Sequence, residues 1–123
     1  MPFGYISVKD IKRYNLDYDK VKIHNQKYIK EALIKYKDYF DNMYKGIDDN
    51  IILDEEQRIA ILTDEDYNLI IAGAGAGKTT TMAAKVKFLV DIKKVDPNDI
   101  ILISYTNKAV SELKQRINKD FKI

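Results

Sequence analysis

Residues 68–79, Asn-Leu-Ile-Ile-Ala-Gly-Ala-Gly-Ala-Gly-Lys-Thr, set a short apolar run against a loop of alternating glycine and alanine that ends on Lys78 and Thr79, with a helix-compatible stretch following at once. That order is the setting of a phosphate-binding P-loop. Glycine lets successive backbone N–H groups turn inward around phosphate oxygens, and a helix N-terminus beyond the loop adds partial positive charge. On this reading Gly73, Ala74, Gly75, Ala76 and Gly77 wrap the phosphates, Lys78 reaches the β- and γ-phosphates, and the Thr79 hydroxyl holds Mg²⁺. The general pattern places glycine at its first position, where this chain has Ala72. The phosphate-facing end is intact, so a cofactor-free glycine turn is the weaker reading.

At 123 residues the chain is one small domain at most, or part of a larger one. Its 33% charged residues sit beside 46% hydrophobic residues, enough for a core and too many for wholesale disorder. The net charge of +2 is carried by residues 1–50, with ten Lys/Arg against eight Asp/Glu, while residues 51–123 balance at eleven of each. Electrostatics alone therefore makes no strong case for nucleic acid. The absence of cysteine excludes disulfides and thiolate metal sites, and the single histidine, His24, is expected to serve a surface or packing role. No apolar run reaches membrane-spanning length and the start, Met-Pro-Phe-Gly-Tyr, lacks a signal-peptide core, so a cytoplasmic location with no membrane partner is expected.

Along the chain, residues 1–17 read as irregular or short helix. Tyr28, Ile29, Ala32, Leu33, Tyr36, Tyr39, Phe40 and Met43 then recur at helical steps opposite Lys30, Glu31, Lys35, Lys37 and Asp38, which predicts one amphipathic helix over 19–43. Its aromatic stripe reads as core before partner surface. Turn residues follow at 45–50. The segment Ile51-Ile52-Leu53-Asp54-Glu55-Glu56-Gln57 imitates a Walker B strand, but it precedes the loop, whereas a Walker B strand follows it. It reads instead as a helix start, with Asp54 as N-cap and residues 53, 59 and 62 as staple and core. Residues 68–72 are expected to form a strand, and Thr80 to Ile92 a helix with Met82, Val86, Leu89 and Val90 inward. The unbroken apolar run Ile100-Ile101-Leu102-Ile103 reads as a second strand buried on both faces, and 108–119 as a third helix. Strand, loop, helix, strand in that order predicts an α/β class, a P-loop NTPase partial domain with parallel strands, preceded by an amphipathic N-terminal helix. The boundary is expected between a helical segment and linker, 1–50, and an ATP-binding part, 51–123.

Three features at ordered spacing, Gln57 upstream, the loop at 72–79, and Ser104-Tyr105-Thr106-Asn107-Lys108-Ala109, together resemble superfamily 1 DNA helicases of the UvrD/Rep type. The family's Leu-x-x-x-Gln-Arg segment is matched by Leu53, Gln57 and Arg58, and its Ala-Gly-Ala-Gly-x-Gly-Lys-Thr loop by residues 72–79, Ala72 included. Its Thr-Phe-Thr-Asn-Lys-Ala motif is matched by 104–109 with Ser for Thr and Tyr for Phe. The resemblance covers about residues 51–121; the stretches around His24 and Tyr39 are similar, more weakly, to a DNA helicase IV-like branch. It implies a RecA-like ATP-binding domain, ATP and Mg²⁺ as cofactors, single-stranded DNA as partner, and a remainder of a helicase chain beyond these residues. It also implies roles: Gln57 reads adenine, Lys78 and Thr79 serve phosphoryl-transfer chemistry, and Tyr105, Thr106 and Asn107 contact the strand. A carboxamide matches the donor and acceptor of adenine N6–H and N7. A Tyr105 face stacked on a base is worth about 1–3 kcal/mol. Thr80 departs from the family, many of whose members stack an arginine on adenine there; Thr80 itself is kept among the cofactor-binding positions.

After residue 104 no paired Asp-Glu strand, water-orienting glutamine or arginine finger follows. The expectation is a truncated, N-terminal piece of a helicase that binds ATP without efficient hydrolysis or unwinding. With the strands between them missing, Ile70, Ile71, Ile101 and Ile103 would present exposed apolar edges. Two other readings compete: another P-loop NTPase, such as a small kinase or AAA-type ATPase, which requires neither Gln57 nor the Tyr-Thr-Asn-Lys sequence; and a non-catalytic interaction module that docks a partner through helix 19–43.

Overall fold

The computed structural model describes residues 4–65, 78–103 and 107–123, and the chain falls into two compact units, Met1–Ile71 and Ala72–Ile123. Each is described by itself.

Among the described residues the first unit carries four helices. Helix α1, Val8–Arg13, starts under the Ser7 hydroxyl, which accepts from the Asp10 N–H, and α2, Tyr18–Lys35, starts under Asp17, which accepts from Asp19 and Lys20. These short polar caps satisfy N–H groups that a first turn leaves orphaned. At Tyr36 (φ −101°, ψ 14°) the helix stops and α3, Lys37–Asn42, begins. The single helix expected over 19–43 is therefore two. Its amphipathic reading stands in substance: the apolar stripe is buried or half-buried throughout, Ala32, Phe40 and Met43 fully, while Lys30, Glu31, Lys35, Lys37 and Asp38 are exposed. An edge-to-face ring pair, Tyr36 with Tyr39, spans the break, and Tyr39 pairs in the same way with Phe40 inside α3. The chain then turns through Gly46, whose φ of 84° lies in the left-handed region, with Asp49 accepting from the Gly46 N–H.

Helix α4, Glu55–Leu62, packs on α2, as does α3. Ile6, Val21, Phe40, Tyr44, Leu53, Ile61 and Leu62 form the buried core. The extended N-terminal segment is docked by side-chain amide chemistry. Asn25 on α2 accepts from the Ile6 N–H and donates to the Ile6 carbonyl, both at 2.8 Å, as a neighbouring peptide group would. His24 Nε2 lies 2.8 Å from the Gly4 carbonyl and so carries its proton there, the packing role expected for the lone histidine. Glu65 closes the unit, accepting from the Tyr5 hydroxyl (3.1 Å) and the Val8 N–H (2.9 Å).

The second unit is built on α5, Lys78–Asp91, which packs against α6, Asn107–Lys114, and the π-helical turn Gln115–Asp120 that continues it. Its core is Ala83, Ala84, Val86, Phe88, Leu113, Ile117 and Phe121. Of the side chains expected inward on α5, Val86 is buried and Met82, Leu89 and Val90 are only half-buried; Phe88 and the two alanines take the deepest places. Lys87 pairs with Asp91 at 2.8 Å and lies over the Phe121 ring at 5.3 Å.

Among the described residues every regular element is helical, which overturns the expected α/β class with parallel strands. A helix closes its hydrogen bonds within its own segment, whereas a strand exists only opposite a partner. Residues 100–103 start from extended backbone (Ile100 φ −108°, ψ 125°) but form no ladder with any described residue. Side chains alternate along such a segment. Leu102 lines a 260 Å³ cavity with Val86, Leu113 and Ile117, while Ile101 is 83% and Ile103 85% exposed, the opposite of a strand buried on both faces. The other expected strand, residues 68–72, lies outside the described residues.

Candidate nucleotide site

Gln57 is the third residue of α4, and the local sequence explains its orientation. Asp54 Oδ1 accepts from the Gln57 N–H at 2.8 Å, and Gln57 Oε1 accepts from the Asp54 N–H at 2.9 Å, a reciprocal capping box. The predicted N-cap is thus observed, with Glu55 and Glu56 in the first turn where a helix favours negative charge. The box fixes the half-buried carboxamide of Gln57 by its oxygen.

Arg58, the next residue, completes the arrangement. Its Nε donates to the Leu53 carbonyl at 2.8 Å, and its Nη2 donates to Asp41 Oδ1 on α3 at 2.7 Å while the guanidinium lies 5.7 Å from the Phe40 ring centroid. Asp41 also accepts from Lys37 Nζ through its second oxygen at 2.7 Å. The hydrogen bonds from Lys37 and Arg58 hold the Asp41 carboxyl below the usual carboxylate range, and Asp41 in turn raises Lys37.

Lys78, Thr79 and Thr80 are the opening residues of α5, Thr79 and Thr80 half-buried, so their positions coincide with the first-turn N–H groups that have no intrahelical acceptor. A hydroxyl oxygen beside such amides is a chemistry that suits a hard cation and a phosphate. Asn107 opens α6 and is exposed. Gly73, Ala74, Gly75, Ala76 and Gly77, together with Tyr105 and Thr106, lie outside the described residues. Gln57 belongs to the first unit, and Lys78, Thr79, Thr80 and Asn107 to the second. Among the described residues no group of three or more His, Cys, Asp and Glu is arranged to hold a metal, and no helix is long and apolar enough to cross a membrane. The Asp41–Arg58 pair was not foreseen from the sequence; its members are 17 residues apart with no periodicity linking them.

Gln57 is held in a capping box at the start of α4, and Lys78 and Thr79 open α5. The comparisons with known proteins make the assignment. A model of the UvrD/REP helicase N-terminal domain matches residues 53–123, and the chain belongs to that family. A "Probable DNA helicase" of Mycoplasma pneumoniae is 43% identical over 67 residues, 54% of this chain and 13% of that protein. A "Probable DNA helicase II homolog" of the same organism is 42% identical over 65 residues, 53% and 9% of the two chains. "ATP-dependent DNA helicase PcrA" of Staphylococcus aureus is 42% identical over 67 residues, 54% and 9%. The matched region thus spans only 9–13% of these relatives' lengths. No solved structure matches the chain.

Proposed function

We propose that the chain is the N-terminal ATP-binding segment of an ATP-dependent DNA helicase acting in the cytoplasm, with residues 1–50 as a helical lead-in and 51–123 as part of the ATP-binding domain. The observation that carries this is the family match over 53–123, which runs through Gln57, the loop at 72–79 and the 104–109 motif in that order. In this reading Gly73 to Gly77, Lys78 and Thr79 hold the phosphates of ATP, Gln57 reads adenine, and Thr80 borders the nucleotide without the arginine stack common in the family. Mg²⁺, when bound, neutralises phosphate charge, and Thr79 is the side chain suited to hold it. Tyr105 stacks a base of single-stranded DNA while Thr106 and Asn107 bond its backbone. The capping box supports the adenine role, because a carboxamide held in one rotamer discriminates better than a free one. Within these 123 residues the proposal stops at binding and includes no hydrolytic step.

Titration calorimetry with ATP is the test. Lys78→Ala is expected to weaken ATP binding at least about tenfold, the counterpart of losing one charge-assisted contact; unchanged binding removes the phosphate assignment. In the full-length enzyme Tyr105→Ala should weaken single-stranded DNA binding about 5- to 150-fold, and no change removes the stacking role.

A further inference from the structure

One peptide group sits at the centre of the Gln57 arrangement. The peptide joining Leu53 to Asp54 accepts at its carbonyl from Arg58 Nε (2.8 Å) and donates from its N–H to Gln57 Oε1 (2.9 Å). Two adjacent side chains of α4, residues 57 and 58, therefore hold opposite ends of the same planar unit. The guanidinium is cationic, so its bond to the carbonyl polarises the peptide and strengthens the N–H as a donor to the carboxamide. Arg58 is itself held from outside α4. Its side chain is only 12% exposed, against Phe40, and its charge is met by Asp41 on α3 at 2.7 Å. The path from Asp41 through Arg58 and the 53–54 peptide to Gln57 is continuous, each step a hydrogen bond of 2.7–2.9 Å or a shared covalent plane.

We propose that Asp41 and Arg58 are positioning residues for Gln57, through which the helical lead-in sets how sharply the chain distinguishes adenine from guanine nucleotides. The proposal rests on the reading that Gln57 contacts adenine. Arg58 lies within the region matched by the helicase family model, residues 53–123, and Asp41 lies outside it, so the path begins at a residue that the matched region does not include. The bidentate role requires arginine: Nε reaches the Leu53 carbonyl while Nη2 reaches Asp41, a fork that the single ammonium of lysine does not reproduce. Lys37, by contrast, touches Asp41 only at the far oxygen and takes no part in the path.

The test combines two readouts on the intact polypeptide, amide hydrogen exchange and the ratio of ATP to GTP affinity, for Asp41→Asn, Arg58→Lys, Arg58→Met, the control Lys37→Met and the reference Gln57→Ala. Asp41→Asn, Arg58→Lys and Arg58→Met are expected to speed exchange at the Asp54 N–H and to lower the ATP-to-GTP ratio about three- to tenfold, with the phosphate contribution common to both nucleotides unchanged. Lys37→Met leaves both readouts as they are. Unchanged exchange at Asp54 in Asp41→Asn and Arg58→Met overturns the relay. Faster exchange with an unaltered ratio, while Gln57→Ala abolishes the preference, overturns the positioning role and leaves a purely structural pair. A starting protein with no preference for ATP, or one whose preference survives Gln57→Ala, overturns the adenine reading itself, and the proposal falls with it. Arg58→Lys keeps the positive charge and stem, so loss of the ratio in that variant separates the fork geometry from simple misfolding.

Discussion

Replacing Asp54 by alanine isolates the element on which the orientation of Gln57 depends. Asp54 precedes α4, so the substitution carries no helix-propensity term, and the aspartate is exposed, so no cavity forms. What is lost is the 2.8 Å bond from the Gln57 N–H and a negative charge at the helix start. What persists is the other half of the box, because the Asp54 N–H that donates to Gln57 Oε1 belongs to the backbone and survives the change. Cap substitutions of this kind cost about 0.5–2 kcal/mol, of which about 0.3–1 kcal/mol is charge–dipole attraction. With half the box retained, about 1 kcal/mol is expected for Asp54→Ala. Asp54→Asn keeps the acceptor and loses only the charge, so it should cost a few tenths and vary with salt. Urea titration of the whole chain by far-ultraviolet circular dichroism reads this as a lowered midpoint with an unchanged slope. Equal costs for Asp54→Asn and Asp54→Ala would refute the hydrogen-bond account and leave charge alone. An Asp54→Ala midpoint indistinguishable from the parent would remove the cap from the stability argument entirely.

Alkaline titration should find the Tyr5–Glu65 contact. Burial, then the hydrogen bond to Glu65, push the Tyr5 hydroxyl up to about 12 from 10.0, so the folded chain holds that proton more tightly than the unfolded one. The resulting stabilisation is complete below pH 10.0 and is lost as pH rises toward 12; the urea midpoint should fall across that window more steeply in the parent than in Tyr5→Phe, and identical slopes would deny the contact. Replacing Ile101 and Ile103, exposed by 83% and 85%, with threonine should leave the midpoint within about 0.5 kcal/mol and reduce light scattering at high concentration. A midpoint drop above about 1 kcal/mol would mean that these side chains are packed in solution.

What could be read from the sequence divides by how far apart the interacting groups lie. The Asp54 cap was legible because its partner is three residues away and the residue types, Asp then Gln, carry the mechanism themselves. The amphipathic face of α2 and α3 was legible for the same local reason, yet the break at Tyr36 was not, since neither glycine nor proline marks it and the ring contacts that accompany it appear only once the chain has folded. Residues 100–103 failed in a different way. A continuous apolar run states that a segment avoids water, but strand identity depends on a hydrogen-bonding neighbour that no local pattern names; the segment uses Leu102 against α5 and α6 and leaves its other face open. Arg58 shows why the site itself was only half visible. Its place beside Gln57 falls within the matched family region, whereas its charge is met by Asp41, which lies 17 residues away and outside that region. Burial decides between those two descriptions: with 12% of its side chain exposed, Arg58 has shed most of its water, and a cation in that condition needs both the carboxylate and the carbonyl that the fold brings to it. The acidic residue is therefore required by the arginine's burial, and the arginine by the peptide that holds Gln57. An acidic residue on a lead-in helix thereby belongs to the same hydrogen-bonded unit as the glutamine.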